Sequence, residues 1–189
     1  GSMNNLSAAK DTNLCFTVES ILNEEVVEEL VDQCDVVFHM AATVGVGRVM
    51  RSPLQTIRNN VDGTETVLQA ASGKGKRVII TSSSEVYGKS DKLPFKEDGD
   101  LTLGPTSKSR WSYACSKMLD EFLGLAYFHE RQVPVTIVRL FNTVGPRQST
   151  RYGMVLPRFI KCALNGDSIV VHGSGHQRRC FCYVLDTVE

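Results

Sequence analysis

The chain has 189 residues, of which 42% are hydrophobic and 22% charged, with 21 lysines and arginines set against 21 aspartates and glutamates. That length suits one compact domain or slightly more, and the composition is that of a soluble globular chain, not a disordered or collagenous one. A formal net charge of zero with 7% aromatics disfavours a nucleic-acid binder and gives no whole-chain attraction to an anionic membrane.

Residues 1–12, with Gly1-Ser2 ahead of Met3, read as an expression remnant and a polar tail without the apolar run of a signal peptide, so a cytoplasmic protein is expected. No apolar stretch approaches the ~20 residues of a membrane helix, and no membrane partner is expected. Asn5-Leu6-Ser7 matches a glycosylation acceptor, a pattern common by chance. Asn13 to Val18 is a short β-type run. Behind it Leu22, Val26, Val27, Leu30 and Val31 recur at helical spacing after Asn23 and two glutamates, so a strand and then an amphipathic helix are predicted. Asp35 to Met40 reads as a strand buried on both faces, leaving through Ala41-Ala42 into a Gly-containing loop.

A helix is predicted over about Pro53 to Ser72, then a buried strand over Arg77 to Ile80 that runs into Thr81-Ser82-Ser83-Ser84-Glu85-Val86-Tyr87-Gly88. The carboxyl ends of parallel strands are where open α/β sheets bind ligands. Gly88 to Arg110, rich in Lys, Asp, Gly and Pro, reads as a long functional loop. A helix over Trp111 to Arg131 follows, and then a strand over Val135 to Phe141 that enters the turn Asn142-Thr143-Val144-Gly145-Pro146-Arg147. A last helix near Val155 to Leu164 and strands over about Ser168 to His172 and Cys180 to Val184 complete the chain. This alternation argues for a parallel sheet covered on both faces. Cys15, Cys34, Cys115, Cys162, Cys180 and Cys182 have no C-x-x-C spacing, so they read as buried free thiols and no metal site is expected.

Tyr113 and Lys117 stand at i and i+4 in Tyr113-Ala114-Cys115-Ser116-Lys117, on one face of the long helix. A nearby cation lowers a phenol from about 10 toward neutrality, as a general base requires. By itself the pair more often marks an ordinary exposed helix face. The hydroxyls of Ser82, Ser83 and Ser84 beside Glu85 add donors for a substrate oxygen that is losing its proton.

Six ordered motifs carry a more specific signal: His39-Met40-Ala41-Ala42; Asn60-Val61-Asp62-Gly63-Thr64; Ser82 to Gly88; Tyr113 with Lys117; Arg139-Leu140-Phe141-Asn142; and Gly145-Pro146-Arg147. From about Asn13 onward the chain resembles the extended short-chain dehydrogenase/reductases, and within them the NAD-dependent epimerase/dehydratase family that acts on nucleotide sugars. The resemblance implies an α/β fold with a Rossmann-like parallel sheet and helices on both faces over 13–150, and the beginning of a substrate-binding region over 151–189. It implies that Tyr113 takes the proton of the sugar 4-hydroxyl while C4 gives hydride to NAD, and that Lys117 holds the cofactor ribose and lowers the Tyr113 pKa. Ser83 would assist at the same hydroxyl. Ser20, Ile21, Ala41, Ala42 and Asn60 fall at cofactor positions. Ser84, Asn142 and Arg179 fall at substrate positions, with Asn142 and Arg179 reaching the diphosphate of a UDP-sugar.

Dehydratases of the family carry Thr-Asp-Glu where this chain has Ser83-Ser84-Glu85, and without the aspartate dehydration is disfavoured. The Ser-Glu-Val-Tyr-Gly form with Lys108-Ser109-Arg110-Trp111-Ser112-Tyr113 is similar to the UDP-glucuronate decarboxylases, with Glu85 and Arg147 as the matching active-site residues; 4-epimerases are the alternative. Family members open on a strand, a G-x-x-G-x-x-G turn and a helix that receives the cofactor pyrophosphate. Here Gly45-Val46-Gly47 lacks the third glycine and follows Ala41-Ala42, so it is no dinucleotide fingerprint. Asn13 to Val18 matches the family's third strand, which leaves the first two strands absent, and the chain stops at Val184-Leu185-Asp186, before the rest of the small substrate domain. The first strand is central in the order 3-2-1-4-5-6. Either Asn13 to Val18 closes against Asp35 to Met40 or a second copy covers the open edges, and a homodimer is expected. NAD affinity is expected to be weak or absent. Two readings follow: a nucleotide-sugar enzyme using Tyr113, Lys117, Ser83 and Glu85, or a folded remnant that catalyses nothing.

Overall fold

Asn23 starts the first helix, α1 (Glu24–Asp32), by accepting the Val26 backbone N–H on its side-chain oxygen at 3.4 Å, with Glu24 and Glu25 at the positive end of the helix dipole. The computed structural model describes Leu6 and residues 14–150 and 154–189. After α1 come β1 (Val36–His39), α2 (Val46–Arg51) and α3 (Pro53–Ala71). Pro53 sits in the first turn of α3, where a missing N–H costs nothing. Then come β2 (Arg77–Ser83), a 3-10 turn (Ser84–Tyr87), α4 (Trp111–Arg131), β3 (Val135–Leu140) and β4 (Asn142–Val144). The last elements are α5 (Val155–Asn165), β5 (Phe181–Tyr183) and α6 (Val184–Val188).

β1, β2 and β3 form one parallel sheet in that order, with Phe38 opposite Ile79 and Ile79 opposite Thr136. β4 and β5 form a second parallel pair. Because side chains alternate along a strand, the register puts Val37, Val78 and Val135 on one face of the larger sheet, and Val36, Phe38, Ile79 and Val138 on the other. The first face is the core. There Val37, Val78, Ile80 and Val135 meet Val27 and Val31 of α1, Val67, Leu68 and Ala71 of α3, and Leu123 and Tyr127 of α4. Each fully buried aliphatic side chain contributes about 1.5–3 kcal/mol.

The Rossmann-like parallel architecture implied by the sequence holds. The expectation that Asp35 to Met40 is buried on both faces does not: β1 is an edge strand, Phe38 is 65% exposed, and α1, α3 and α4 all join the core on the opposite face. The strand expected over Asn13 to Val18 is also corrected. Asn13 lies outside the described residues, while Leu14 to Val18 are exposed and form no strand against β1. β propensity acts through packing on a neighbouring strand, and no described strand lies beside this segment. Ser168 to His172 forms no strand either, and Ile169, Val170 and Val171 are exposed.

The elements not expected are α2, the 3-10 turn, β4 and α6. α2 occupies part of the loop after β1, and β4 occupies part of the Asn142 to Arg147 turn, where a partner far along the chain draws it into a sheet. The cysteines are free but not buried as expected: Cys15, Cys115 and Cys180 are exposed, Cys115 because it stands on the outer side of α4, and Cys34, Cys162 and Cys182 are half-buried. The expected tail over 1–12 lies outside the described residues except for Leu6. No described helix is long and apolar enough to cross a membrane.

Gly124 lets α4 approach the sheet: a Cβ there would lie 2.8 Å from Ile80 Cδ1 and 3.1 Å from Val135 Cγ1. Gly124→Val is therefore expected to cost about 1–3 kcal/mol through overpacking, read as a lower denaturant midpoint at unchanged slope.

Candidate active site

β2 leaves the core as the hydroxyl-rich run Thr81-Ser82-Ser83 and is turned at once. The Ser83 hydroxyl accepts the Glu85 backbone N–H at 3.2 Å, which starts the 3-10 turn and exposes Glu85. Beside it the first turn of α4 brings up Tyr113, and β3 ends where β4 begins at Asn142. Together they frame a cleft of about 490 Å³ at the carboxyl ends of β2 and β3, lined by Ala42, Ser83, Ser84, Glu85, Tyr113 and Asn142, with Met40, Val44, Phe141 and Phe181 among its apolar walls. Asn142 donates to the Cys180 carbonyl at 2.8 Å and so ties the β5 end of the chain to the cleft.

Arg110 also lines this cleft, and sequence reasoning did not count it among the site residues. Its guanidinium lies 4.7 Å from the centre of the Trp111 ring, and Lys89 lies on the same ring at 5.7 Å. Gly104 makes room for that ring, since a Cβ there would run into Trp111 Nε1. The available signal was a cation directly before the tryptophan that opens the helix.

Beneath the cleft lies a buried polar layer. Lys117 donates to Asp120 Oδ2 at 2.7 Å, and the two side chains are 2% and 0% exposed. Thr64 Oγ1 donates to the Asn60 carbonyl at 2.8 Å and lies 2.9 Å from His39 Nε2. Burial, reinforced by the positive charge of Lys117, holds His39 down at about 4, so it is neutral at pH 7. Asn60, expected at a cofactor position, has both ends of its amide committed inside: Oδ1 accepts from the Thr43 N–H at 2.8 Å and Nδ2 donates to Ser116 Oγ at 2.9 Å. It pins the segment after β1 to α4.

A second buried pair stands one residue further along α4. Glu121 accepts Ser82 Oγ at 2.5 Å and is gripped by Arg139 of β3, whose Nη2 reaches Oε2 at 2.7 Å and whose Nε reaches Oε1 at 3.0 Å. Arg139 also donates to the Glu97 carbonyl and lies 4.9 Å from the centre of the Tyr87 ring, which stacks on Phe95 at 4.5 Å. One guanidinium thus joins α4, β2, the 3-10 turn and the long loop.

The expectation that Lys117 lowers the Tyr113 pKa is not met. Burial pushes the Tyr113 phenol above its ordinary value; the nearby Ser83 hydroxyl opposes this, while the charges of Glu85 and Asp120 add to it. Lys117 is spent on Asp120. Of the other expected residues, Ala41 and Ser20 are exposed outside the cleft, and Ile21 packs on the core beside Gly63. Arg147 and Arg179 are exposed and do not line the cleft, Arg147 in a left-handed conformation at φ 64°.

A strand-end hydroxyl cluster facing a helix-borne tyrosine, over a Rossmann-like parallel sheet, defines the class, and comparison with known proteins agrees. The sequence model of the NAD dependent epimerase/dehydratase family matches residues 2–189, and the chain belongs to that family. It is 52% identical over 171 residues to UDP-N-acetyl-alpha-D-glucosaminuronate decarboxylase of Bacillus cytotoxicus, covering 90% of this chain and 53% of that protein. Among solved structures it is similar to the UDP-N-acetylglucosamine 4-epimerase of Methanobrevibacter ruminantium in complex with UDP-N-acetylmuramic acid, with a TM-score of 0.89, 32% identity, and coverage of 99% of this chain and 59% of that one. It is also similar to the UDP-glucuronic acid 4-epimerase of Bacillus cereus in complex with UDP-glucuronic acid and NAD, with a TM-score of 0.84, 30% identity, and coverage of 98% and 57%. The chain spans about half the length of that decarboxylase.

The His39 geometry fixes a pH dependence. An unfolded histidine takes up its proton near 6.5, while the folded one resists until about 4, so the unfolded state binds more protons in that window and stability falls as pH drops through it. The full loss is about 3 kcal/mol. Denaturant titrations between pH 7 and 4 are expected to show that fall in the native chain and a flatter profile in His39→Gln.

Proposed function

We propose that the chain carries catalytic residues of a nucleotide-sugar decarboxylase, one that oxidises C4 of a UDP-hexuronate and releases its C6 carboxylate as carbon dioxide. The observation that supports this reading is the meeting of Tyr113, Ser83, Glu85 and Arg110 on one cleft. Tyr113, as its phenolate, takes the 4-hydroxyl proton while the Ser83 hydroxyl bonds the same oxygen and steadies it as it becomes a carbonyl. NAD, when bound, accepts the C4 hydride and later returns it. Oxidation leaves a ketone β to the C6 carboxylate. The C5–C6 bond then breaks, carbon dioxide leaves, and its electron pair passes to the C4 oxygen, where Tyr113 supplies the proton. C5 then takes a proton from solvent beside Glu85 while the enol proton returns to Tyr113, which restores the C4 ketone that the hydride reduces. Arg110, a permanent planar cation held on Trp111, suits the substrate carboxylate.

The residues present fit the nicotinamide-ribose end of the cofactor: Ala42 lines the cleft with Tyr113, and Lys117 lies beneath. The 189 residues contain no G-x-x-G-x-x-G turn to supply pyrophosphate donors. On this reading Ser84 and Asn142, which line the cleft, would take the sugar and its diphosphate, and Arg147 and Arg179 would have to swing in from solvent to join them. The uronate named for the Bacillus cytotoxicus relative supports a carboxylated sugar. A 4-epimerase acting on the same class of sugar is the second reading, favoured by the likeness to the Bacillus cereus enzyme. In either reading the protein is cytoplasmic and a homodimer in which a second copy covers the open sheet edges.

Incubation with NAD and a UDP-hexuronate labelled at C6 is expected to release labelled carbon dioxide, and Tyr113→Phe to slow that release by about 10²–10⁴-fold. Label retained in a 4-epimer would favour the epimerase. Absence of NAD binding by calorimetry, with neither product formed, would favour the silent remnant. Sedimentation is expected to give twice the 20.9 kDa chain mass, and a monomer would contradict the dimer.

A further inference from the structure

Tyr113, Lys117 and Asp120 follow one another at intervals of four and three residues along α4, on or next to the face it turns to the sheet and α3. Lys117 and Asp120 are among the most deeply buried side chains of the protein. An ammonium in such a place stays charged only beside a partner, and the partner is Asp120, 2.7 Å from Nζ. Helical side chains lean toward the helix N-terminus, which for Lys117 is the side of Tyr113. Its bond is made the other way, toward the C-terminal side. Asp120 Oδ1 is buried without a hydrogen bond, the Thr64 hydroxyl lies against the carboxylate, and Lys117 is its one charged partner among the described residues.

The charged and titratable groups around these residues are few. His39 of β1 and Thr64 of α3 border the Lys117–Asp120 pair, and Glu121 follows it on α4, itself occupied by Arg139 of β3 and Ser82 of β2. Around Tyr113 stand Ser83 of β2 and Glu85 of the 3-10 turn, with Arg110 on the same cleft. Lys117 is the buried cation one turn beyond the phenol along α4, and Arg110 stands three residues before Tyr113 at the cleft.

We propose that Asp120 is a positioning residue that sets the proton affinity of Tyr113 through Lys117, by drawing the ammonium along the helix and cancelling most of its field at the phenol. A close ion pair acts at a distance as a dipole, so the phenol feels little of the positive charge one turn away. Asp120 thereby keeps Tyr113 protonated at neutral pH. Tyr113 becomes a base when the ammonium is released, for instance to the hydroxyls of a bound ribose. The inference rests on the reading of Tyr113 as the proton-transfer group, and it assigns Asp120 a role that its place on the far side of Lys117 would otherwise hide.

The test is an ultraviolet titration of the phenolate in the full chain, with the Tyr113→Phe protein subtracted to isolate one of five tyrosines. Asp120→Asn is expected to lower the Tyr113 midpoint by about one pH unit or more, and Asp120→Glu to restore it. A folded Asp120→Asn protein whose Tyr113 midpoint is unchanged or higher would overturn the proposal, because a purely structural aspartate changes stability and leaves the phenol alone. Should that variant not fold, the unaltered protein decides. NMR of its lysine ammonium groups is expected to show a hydrogen-bond coupling from Lys117 Nζ to the Asp120 carboxyl carbon, and Lys117 found bonded to the Tyr113 oxygen overturns the proposal. Neither measurement needs substrate or NAD. An inert enzyme therefore leaves this result standing, and a failure here leaves the catalytic reading of Tyr113 standing.

Discussion

A helix that buries Lys117, Asp120 and Glu121 against a sheet must find a partner for every one of those charges, and the rest of the molecule is arranged around how it does so. Lys117 and Asp120 answer each other, and Glu121 is answered by Arg139 and Ser82. An isolated charge in that layer would cost several kcal/mol, so α4 has a single acceptable seating, with Ser82 beneath Glu121 and Tyr113 two turns earlier at the mouth of the cleft. The Glu121 bonds to Ser82 and Arg139 therefore set the position of Tyr113 relative to Ser83. Arg139 extends the constraint to the long loop through the Glu97 carbonyl and the Tyr87 ring.

This arrangement separates the two roles that a tyrosine and lysine on one helix face are usually given together. Tyr113 opens on the cleft, and Lys117 lies below it in a dry layer with His39, Thr64 and Asn60. The phenol is raised by burial and by the carboxylates of Glu85 and Asp120, not lowered by the ammonium.

The larger sheet has a similar division. Its inner face is filled by α1, α3 and α4, which supplies the core, while Phe38 and its neighbours on the outer face stay exposed. The cleft lies at the strand ends, where neither face has to be covered for Ser83, Glu85 and Tyr113 to meet. On the covered face it is Glu121, held by Arg139 and Ser82, that ties α4 to β3 and β2.

Long periodic elements were legible in the residues alone. Trp111 to Arg131 is a helix over the span its pattern implies, and Pro53 marks the start of α3, because helical periodicity and first-turn proline act locally. Tyr113, Ser83, Ser84 and Glu85 were legible for the same reason: each belongs to a short motif on one element, and the strand-end rule brings those elements to one edge. Leu14 to Val18, Ser168 to His172 and β4 were misread, since a strand exists only if another strand is beside it, and the distance along the chain to that partner is invisible to local pattern. Arg110 and Asp120 were passed over because their importance lies in what they touch. The sequence by itself determined the class of the fold, its long helices and the chemical types gathered at the strand ends, all consequences of local spacing. Only the tertiary structure decided that Lys117 bonds Asp120 in place of Tyr113, that Asn60 faces inward, and that among the described residues one side of the sheet is uncovered, because burial, charge pairing and strand order arise from residues far apart in the chain.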